Sequence, residues 1–411
     1  MPSPDYRWRI AALLAALTAL SYIDRQSFPV VSGEIAKTIP ISDAQYAQLQ
    51  FLFLLTYGLM YAGGGRLIDR LGTRRGLGLC MFLWSAATAL HGLVTSVMGL
   101  GAARILLGLG EGGGFPGAAK AVAEWFPKKE RSLAFGIFNT GSSVGAVAAP
   151  PLIAAIVLAS NWRWVFVAAG SAGIVWLMFW LRTGDAPSAQ EGTQAVAANA
   201  SWAGLFRRVD TWALVMAKFL SDSAWYFFLF WLPKYLGDVR HLDIKGIGYF
   251  AWIPYAFAGA GSLLGGWLSS FLMRRGWSLD ASRRISLGIS AAMLPASLFI
   301  VESPLSLAIV FFSMAMCGHQ FFSTIMQTLT ADMYEPAEVG SIAGLIGAAG
   351  CFGGMLFNLL VGAILTATHS YGMVFAIAGV LHPASFLVLM LFVRRIERDR
   401  VPIKIQEELP V

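Results

Sequence analysis

Four ionisable residues stand where an otherwise apolar chain would least tolerate them. Asp24 and Arg25 lie side by side in "SYIDRQSF", and Arg104 and Glu111 lie seven positions apart in "RILLGLGEGGGFPG". Charged side chains inside apolar runs are costly unless they face a cavity or a partner. Seven residues is about two helical turns, so Arg104 and Glu111 project from one face of a helix. Asp24 and Arg25 are adjacent, so they diverge by about 100° and need not satisfy each other. Such a set offers anion capture by two guanidinium forks, whose planar geometry suits a carboxylate. The two acids are candidate proton carriers, because burial favours the uncharged form of a carboxyl group. The competing reading of Arg104 and Glu111 is a structural ion pair buried between helices.

Polar residues at similar depth complete a candidate pocket: Tyr22, Tyr57, Ser142, Asp222, Tyr226, His319, Gln320 and Gln327. Taken singly, each Tyr or Ser reads more readily as interhelical packing or hydrogen bonding. Asp222 and His319 stand higher, since ionisable residues within a span are uncommon. Lys120 and Lys218 are long enough to snorkel toward the cytoplasm and are set aside. His319 has no metal-ligand company, and no Cys–His or Ser–His spacing suggests a nucleophile. The residues therefore point to no metal, no cofactor and no catalytic constellation, hence not to an enzyme. Gly108, Gly110 and Gly113 fit a G-x-G-x-x-G spacing, but no strand precedes them, so they read as a closely packed helix.

The elements that must hold these residues are apolar. Of 411 residues, 57% are hydrophobic and 13% charged, against about 25% charged in a soluble domain. Apolar runs long enough for a bilayer recur near 8–32, 46–68, 76–96, 99–125, 132–158, 162–182, 208–236, 246–273, 284–301, 304–331, 338–366 and 370–393. The reading is an all-α integral membrane protein of twelve transmembrane helices in two six-helix pseudo-symmetric halves. The halves are 1–182 and 208–411, joined by a small, polar cytoplasmic linker at 183–207. The first run lacks a small-residue cleavage site and reads as a span, not a signal peptide. Cys80, Cys317 and Cys351 sit among apolar residues and read as buried thiols outside any disulfide framework.

The net charge of +7 does not imply nucleic acid, because Lys and Arg fall in short clusters between apolar runs. The clusters are Arg7 and Arg9; Arg66 to Arg75; Lys128, Lys129 and Arg131; Arg182, Arg207 and Arg208; Arg274 to Arg284; and Arg394 to Arg400. With twelve spans all of them share one side, and the positive-inside rule makes that side, with both termini, cytoplasmic. Short termini without appended domains suit a bacterial inner membrane, and a monomer is expected. Span 1 then runs outward, placing residue 24 about 24 Å along it and somewhat past the midplane. Span 4 runs inward, with Arg104 in its outer half and Glu111 near the middle. Both acids and both Arg groups are thus expected to share one cavity.

"GRLIDRLGTRR" (65–75) is the most specific short motif. Gly65 permits close helix contact, Asp69 can cap or pair, and Gly72 turns the chain. Arg70, Arg74 and Arg75 keep the loop cytoplasmic. "GWLSSFLMRRG" (266–276) echoes it after span 8, as duplicated halves around a midplane site would. The motif resembles the signature loop of the major facilitator superfamily, and the resemblance implies gating between inward- and outward-open states.

More closely, the end of span 1, the R-x-x-x-G-x-G-E of span 4 and "AEWFPKKERSLAFGIFNTGSSVGAVAAPPL" resemble the anion:cation symporter family of that superfamily. "YFFLFWLPKYL", "DIKGIGYFAWIPY", "GHQFFSTIMQTLTADMY" and "GGMLFNLLVG" look most like its hexuronate branch. The resemblance implies proton-coupled symport of a sugar-acid anion, an aldohexuronate such as galacturonate or glucuronate, with substrate, protons and bilayer as the only partners. It places proton handling at Asp24 and Glu111, and carboxylate binding at Arg25 and Arg104. Tyr22 and Tyr57 match pocket-lining aromatics, and Ser142, Tyr226, His319, Gln320 and Asn358 complete the expected substrate site. Ser142 stands where galactonate-type members have Gln. The alternative is an exchanger or exporter of another organic anion (aldonate, aldarate or aromatic acid) using the same Arg pair. The antiporter pattern G-x-x-x-G-P is not met in span 5, where Ala146 follows Gly145.

Overall fold

The computed structural model describes residues 6–127, 130–184, 202–335 and 338–396. Among them the chain is helical, with no β-strand. The helices are α1 (Tyr6–Ala36), α2 (Asp43–Leu71), α3 (Thr73–His91), α4 (Val97–Glu111), α5 (Gly114–Trp125), α6 (Arg131–Ala159) and α7 (Trp162–Leu181). After the short α8 (Trp202–Arg207) come α9 (Val209–Asp238), α10 (Ile244–Phe250), α11 (Trp252–Arg274) and α12 (Leu279–Ala291). A 3₁₀ segment (Leu294–Phe299), α13 (Leu305–Met333), α14 (Val339–Thr368) and α15 (Gly372–Phe392) complete the bundle. Most of the linker, residues 185–201, and the basic residues Lys128, Lys129, Arg398 and Arg400 lie outside the described residues.

Helix starts follow local capping chemistry. Ser42 and Gln45 form a capping box at α2, with Gln45 N donating to Ser42 Oγ at 3.2 Å and Ser42 N to Gln45 Oε1 at 3.0 Å. The side chains of Ser96, Asn161, Asp243 and Ser278 each accept one backbone N–H two or three residues on, and so cap α4, α7, α10 and α12. The two echoing loops both turn on a left-handed glycine, Gly72 at φ 78° and Gly276 at φ 88°, a conformation that costs other residues steric strain.

Proline sets where helices break. The ring removes the N–H that would bond the carbonyl four residues earlier. α4 ends at Glu111 just before Gly112, the residue four before Pro116. Likewise α10 ends at Phe250, four before Pro254, and α12 at Ala291, four before Pro295. Expected spans 4, 8 and 9 are therefore each two pieces. Pro29, Pro150, Pro151, Pro233 and Pro383 lie inside unbroken helices, and at Pro150 and Pro233 another helix supplies a donor to the freed carbonyl. Gln26 Nε2 donates to the freed carbonyl of Ala146 at 3.0 Å, and Tyr255 Oη to that of Leu229 at 3.1 Å.

Eight segments of the described chain are long and apolar enough to cross a bilayer on their own. The other four expected spans fall short singly. α1 carries Arg7, Arg9, Asp24, Arg25 and Glu34; α3 is short and begins with Arg74 and Arg75; α4–α5 and α12 with its 3₁₀ segment are interrupted. Packing supplies what their composition lacks. α1 lies along α6, α3 along α7 and α4, α9 along α14 and α15, and α11 along α13. Contacts of α2 with α14, of α6 with α10 and α11, and of α1 with α9 join residues before the linker to residues after it.

Those joints are tight at the end of the bundle away from the termini. There Lys234 Nζ meets Asp43 Oδ1 at 3.0 Å, and Tyr46 Oη donates to the carbonyl of Phe230 at 2.5 Å. Tyr46 stacks on Phe28, with centroids 5.4 Å apart, and meets Trp231 edge-on at 4.8 Å. A Cβ on Gly362 would lie 2.4 Å from Ala47 Cβ. At the termini end the ion pairs Arg7–Glu130, Lys120–Asp69, Arg208–Glu338 and Arg283–Asp332 each stay on one side of the linker.

Candidate functional site

A cavity of about 590 Å³ lies mid-bundle where α1, α2 and α6 face α9, α11, α13 and α14. Its lining continues along α13 to Gln327 and Thr330 and along α14 to Ala343 and Ile346, toward the termini end. Tyr22, Arg25, Tyr57, Glu111, Ser142, Tyr226, His319 and Gln320 all line it.

Arg25 and Glu111 form a buried ion pair in its wall, Arg25 Nε donating to Glu111 Oε1, with side-chain exposures of 9% and 1%. Ser21 Oγ donates to the same carboxylate oxygen at 2.6 Å, while Oε2 has no hydrogen-bond partner among the described residues. The Arg25 guanidinium lies 4.5 Å from the Tyr57 ring centroid and 5.3 Å from that of Tyr22. Aromatic faces attract a cation without neutralising it, so the rings help to hold the fork in the cavity wall.

Asp24 and Arg104 do not line the cavity, although their expected depth is the same. The near-100° divergence between neighbours on α1 turns Asp24 toward α3, where its Oδ2 accepts from Trp84 Nε1. Arg104 is fully buried, with its guanidinium carbon 4.2 Å from the Phe28 ring centroid and 5.7 Å from that of Phe53. None of its three guanidinium nitrogens has a hydrogen-bond partner among the described residues. The shared cavity expected for all four charges thus holds one Arg and one acid, and the other two stand behind its wall. Asn358 is also outside: it accepts from Trp231 Nε1 at 2.7 Å and donates to the Gly354 carbonyl at 2.7 Å.

The side after the linker contributes groups that the sequence undervalues. Lys218 does not snorkel. It is 7% exposed, lines the cavity, and holds Asp222 Oδ1 at 2.9 Å and Ser323 Oγ at 2.9 Å. The signal for it was the four-residue spacing to Asp222, which puts both on one helix face. His319 stacks on Trp225 with centroids 4.7 Å apart, and its Nδ1 lies 3.0 Å from His382 Nε2. Tyr226 Oη sits 3.5 Å from Cys351 Sγ. Among the described residues no cluster of His, Cys, Asp or Glu could hold a metal ion.

Close helix approach through glycine positions the Glu111 wall. A Cβ on Gly108 would lie 2.1 Å from Thr56 Oγ1, and one on Gly110 2.5 Å from Trp84 N. In the 65–75 loop, Asp69 accepts from Lys120 Nζ at 2.6 Å, and Arg74 donates to the Leu181 carbonyl. Trp180 Nε1 donates to the Arg74 carbonyl at 2.9 Å, while Arg70 and Arg75 are exposed. Gly65 faces open space; the close approach expected of it belongs to Gly64, whose Cβ would lie 3.1 Å from Gly113 Cα. One step along the helix rotates the contact face away.

Residues 14–357 and 276–411 match the family model of the Major Facilitator Superfamily. The hexuronate transporter of Escherichia coli K12 is 31% identical over 403 residues, covering 93% of each chain. The galacturonate transporter of Dickeya chrysanthemi is 30% identical over 319 residues, covering 72% of this chain and 92% of that protein. The crystal structure of a D-xylose-proton symporter superimposes with a TM-score of 0.77 over 96% of this chain and 99% of that one, at 14% identity. That likeness speaks for the fold alone. The chain belongs to the major facilitator superfamily of multi-pass membrane transporters.

Proposed function

We propose that the protein imports a sugar-acid anion, an aldohexuronate such as galacturonate or glucuronate, together with protons by alternating access. The observation that carries this reading is the Arg25–Glu111 pair in the wall of a mid-bundle cavity. A guanidinium already committed to an acid cannot also neutralise a substrate. Protonation of Glu111 frees the fork, and the substrate carboxylate then takes its place on Arg25. When the substrate leaves, Glu111 gives up its proton and re-pairs with Arg25, so anion and proton travel together. The substrate class is supported by the relatives' hexuronate and galacturonate names.

Tyr22, Tyr57, Ser142, Tyr226, His319 and Gln320 surround the sugar. Asp24 is a second proton carrier behind the wall, and Arg104 contributes its field there, not contact; Asn358 braces α9 against α14. The halves 1–182 and 208–411 rock about the site, with the 65–75 loop as the gate between states. The positive-inside rule supports cytoplasmic termini in a bacterial inner membrane; in that orientation, closure at the far end and a cavity extending toward the termini correspond to an inward-facing state.

Proteoliposomes with an inward proton gradient should accumulate labelled glucuronate and stop when the gradient is collapsed. Glu111→Gln should retain exchange of labelled for unlabelled substrate while losing gradient-driven accumulation. Wild-type uptake indifferent to the gradient would overturn symport. Loss of folding in Glu111→Gln, with no exchange, would mark the pair as structural.

A further inference from the structure

The cavity holds a second internally neutralised cation that the transport cycle above does not use. Lys218 and Asp222 project from the same face of α9, and Ser323 of α13 ties the ammonium from the opposite side at 2.9 Å. The Asp222 carboxylate is fixed against α14, where a Cβ on Gly350 would come within 2.1 Å of Oδ2. Both side chains line the cavity and both are nearly buried, at 7% and 8% exposure. Tyr226 and Cys351 lie within electrostatic reach of Arg25 as well as of Asp222, so the two ion pairs look onto one space from opposite halves.

The pairs differ in what they offer a ligand. Arg25 presents a planar fork that a carboxylate can take over once Glu111 is neutral. Lys218 remains neutralised by a carboxylate locked in place, so it presents no net charge to a second anion. A fixed ammonium beside a fixed carboxylate sets strong donors next to strong acceptors, the pattern matched by neighbouring hydroxyls of a sugar ring. A second carboxylate at that end would sit against Asp222 in a medium of low dielectric, where like charges repel strongly.

We propose that Lys218 and Asp222 form the hydroxyl-reading end of the substrate site and make the cavity select sugar monocarboxylates over the corresponding dicarboxylates. The proposal rests on the sugar-acid reading above and adds the residues that set its specificity. Selection comes from what Asp222 excludes as much as from what the pair binds. Removing only the acid should therefore change preference, not simply weaken binding.

The test is the dissociation constants of glucuronate and galactarate, a dicarboxylate of equal carbon number, measured calorimetrically on purified protein. Wild type should hold glucuronate at least about tenfold tighter, the factor for a modest like-charge penalty. Asp222→Asn leaves Lys218 un-neutralised and should bring the ratio to about one or invert it. Lys218→Met/Asp222→Leu removes both partners at once, a replacement that buried pairs tolerate. It should bind glucuronate and cyclohexanecarboxylate, which lacks the hydroxyls, within about threefold of each other, where wild type separates them by more than about tenfold. An unchanged wild-type ratio in Asp222→Asn, or hydroxyl discrimination surviving in the double variant, overturns the proposal. Wild type binding glucuronate and galactarate equally overturns it while leaving the transport reading intact; wild type binding no sugar acid overturns both.

Discussion

The two arginines that sequence spacing treats as equals occupy different environments, and paired substitutions separate them. Arg25 lines the cavity beside Glu111, whereas Arg104 is sealed between Phe28 and Phe53. Lysine keeps the charge at either position and loses the fork. At position 25 that removes one charge-assisted hydrogen bond to the substrate carboxylate, worth about 1.5–3 kcal/mol. At about 1.4 kcal/mol per decade, Arg25→Lys should weaken glucuronate binding by about 10- to 100-fold. Arg104→Lys should change affinity by less than about threefold while lowering thermal stability. A desolvated guanidinium over an aromatic ring is worth about 2 kcal/mol, and a buried ammonium in its place keeps the charge with less of the packing. Titrating glucuronate against unfolding temperature in detergent reads both quantities from one experiment. Equal affinity losses in the two variants, or an Arg25→Lys protein that binds within threefold of wild type, would refute the assignment of the carboxylate to Arg25.

Other expectations concern packing and closure. Gly110→Ala places a Cβ 2.5 Å from Trp84 N and should cost about 1–3 kcal/mol, seen as a lower Tm. Gly266→Ala, with nothing within 4 Å, should leave Tm unchanged or slightly raised. Lys234→Ala breaks the Asp43 bridge at the closed end, where Asp43 is 32% exposed. It should speed labelling of Cys351 by an impermeant maleimide added outside by about two- to fivefold, in keeping with a partly exposed ion pair. The same assay on Cys351→Ser supplies the background, and an unchanged rate would mean that the pair does not hold the closure.

The spans were legible in the chain because apolar runs act locally, but the breaks that Pro116, Pro254 and Pro295 make inside runs 99–125, 246–273 and 284–301 were passed over. Pro116, Pro254 and Pro295 each end a helix where the missing N–H requires, and the order of caps marks the loops. What stayed hidden depends on the rotation of one helix against another. Pro150 and Pro233 could not be told from helix breakers, because their repair comes from Gln26 and Tyr255 on different helices. Depth along a span follows from 1.5 Å per residue, so Asp24, Arg25, Arg104 and Glu111 were placed at similar heights. Azimuth does not follow, and azimuth decides that Arg25 and Glu111 meet in the cavity while Asp24 and Arg104 stand behind it. Lys218 was discounted on chain length alone, when its tether to Asp222 and Ser323 keeps it inside.

The closure at the far end bears on how the protein would respond to its surroundings. Apart from Lys234 with Asp43 and Asp238, it is built from groups that carry no charge: a phenol on a backbone carbonyl, stacked rings, and an indole on an amide. Ions in solution screen exposed charges over about 8 Å at physiological strength, but they have little hold on such contacts. A saline medium would therefore act on the seal through Lys234 and its carboxylate partners, and leave the stacked rings and the indole–amide contact nearly unaltered.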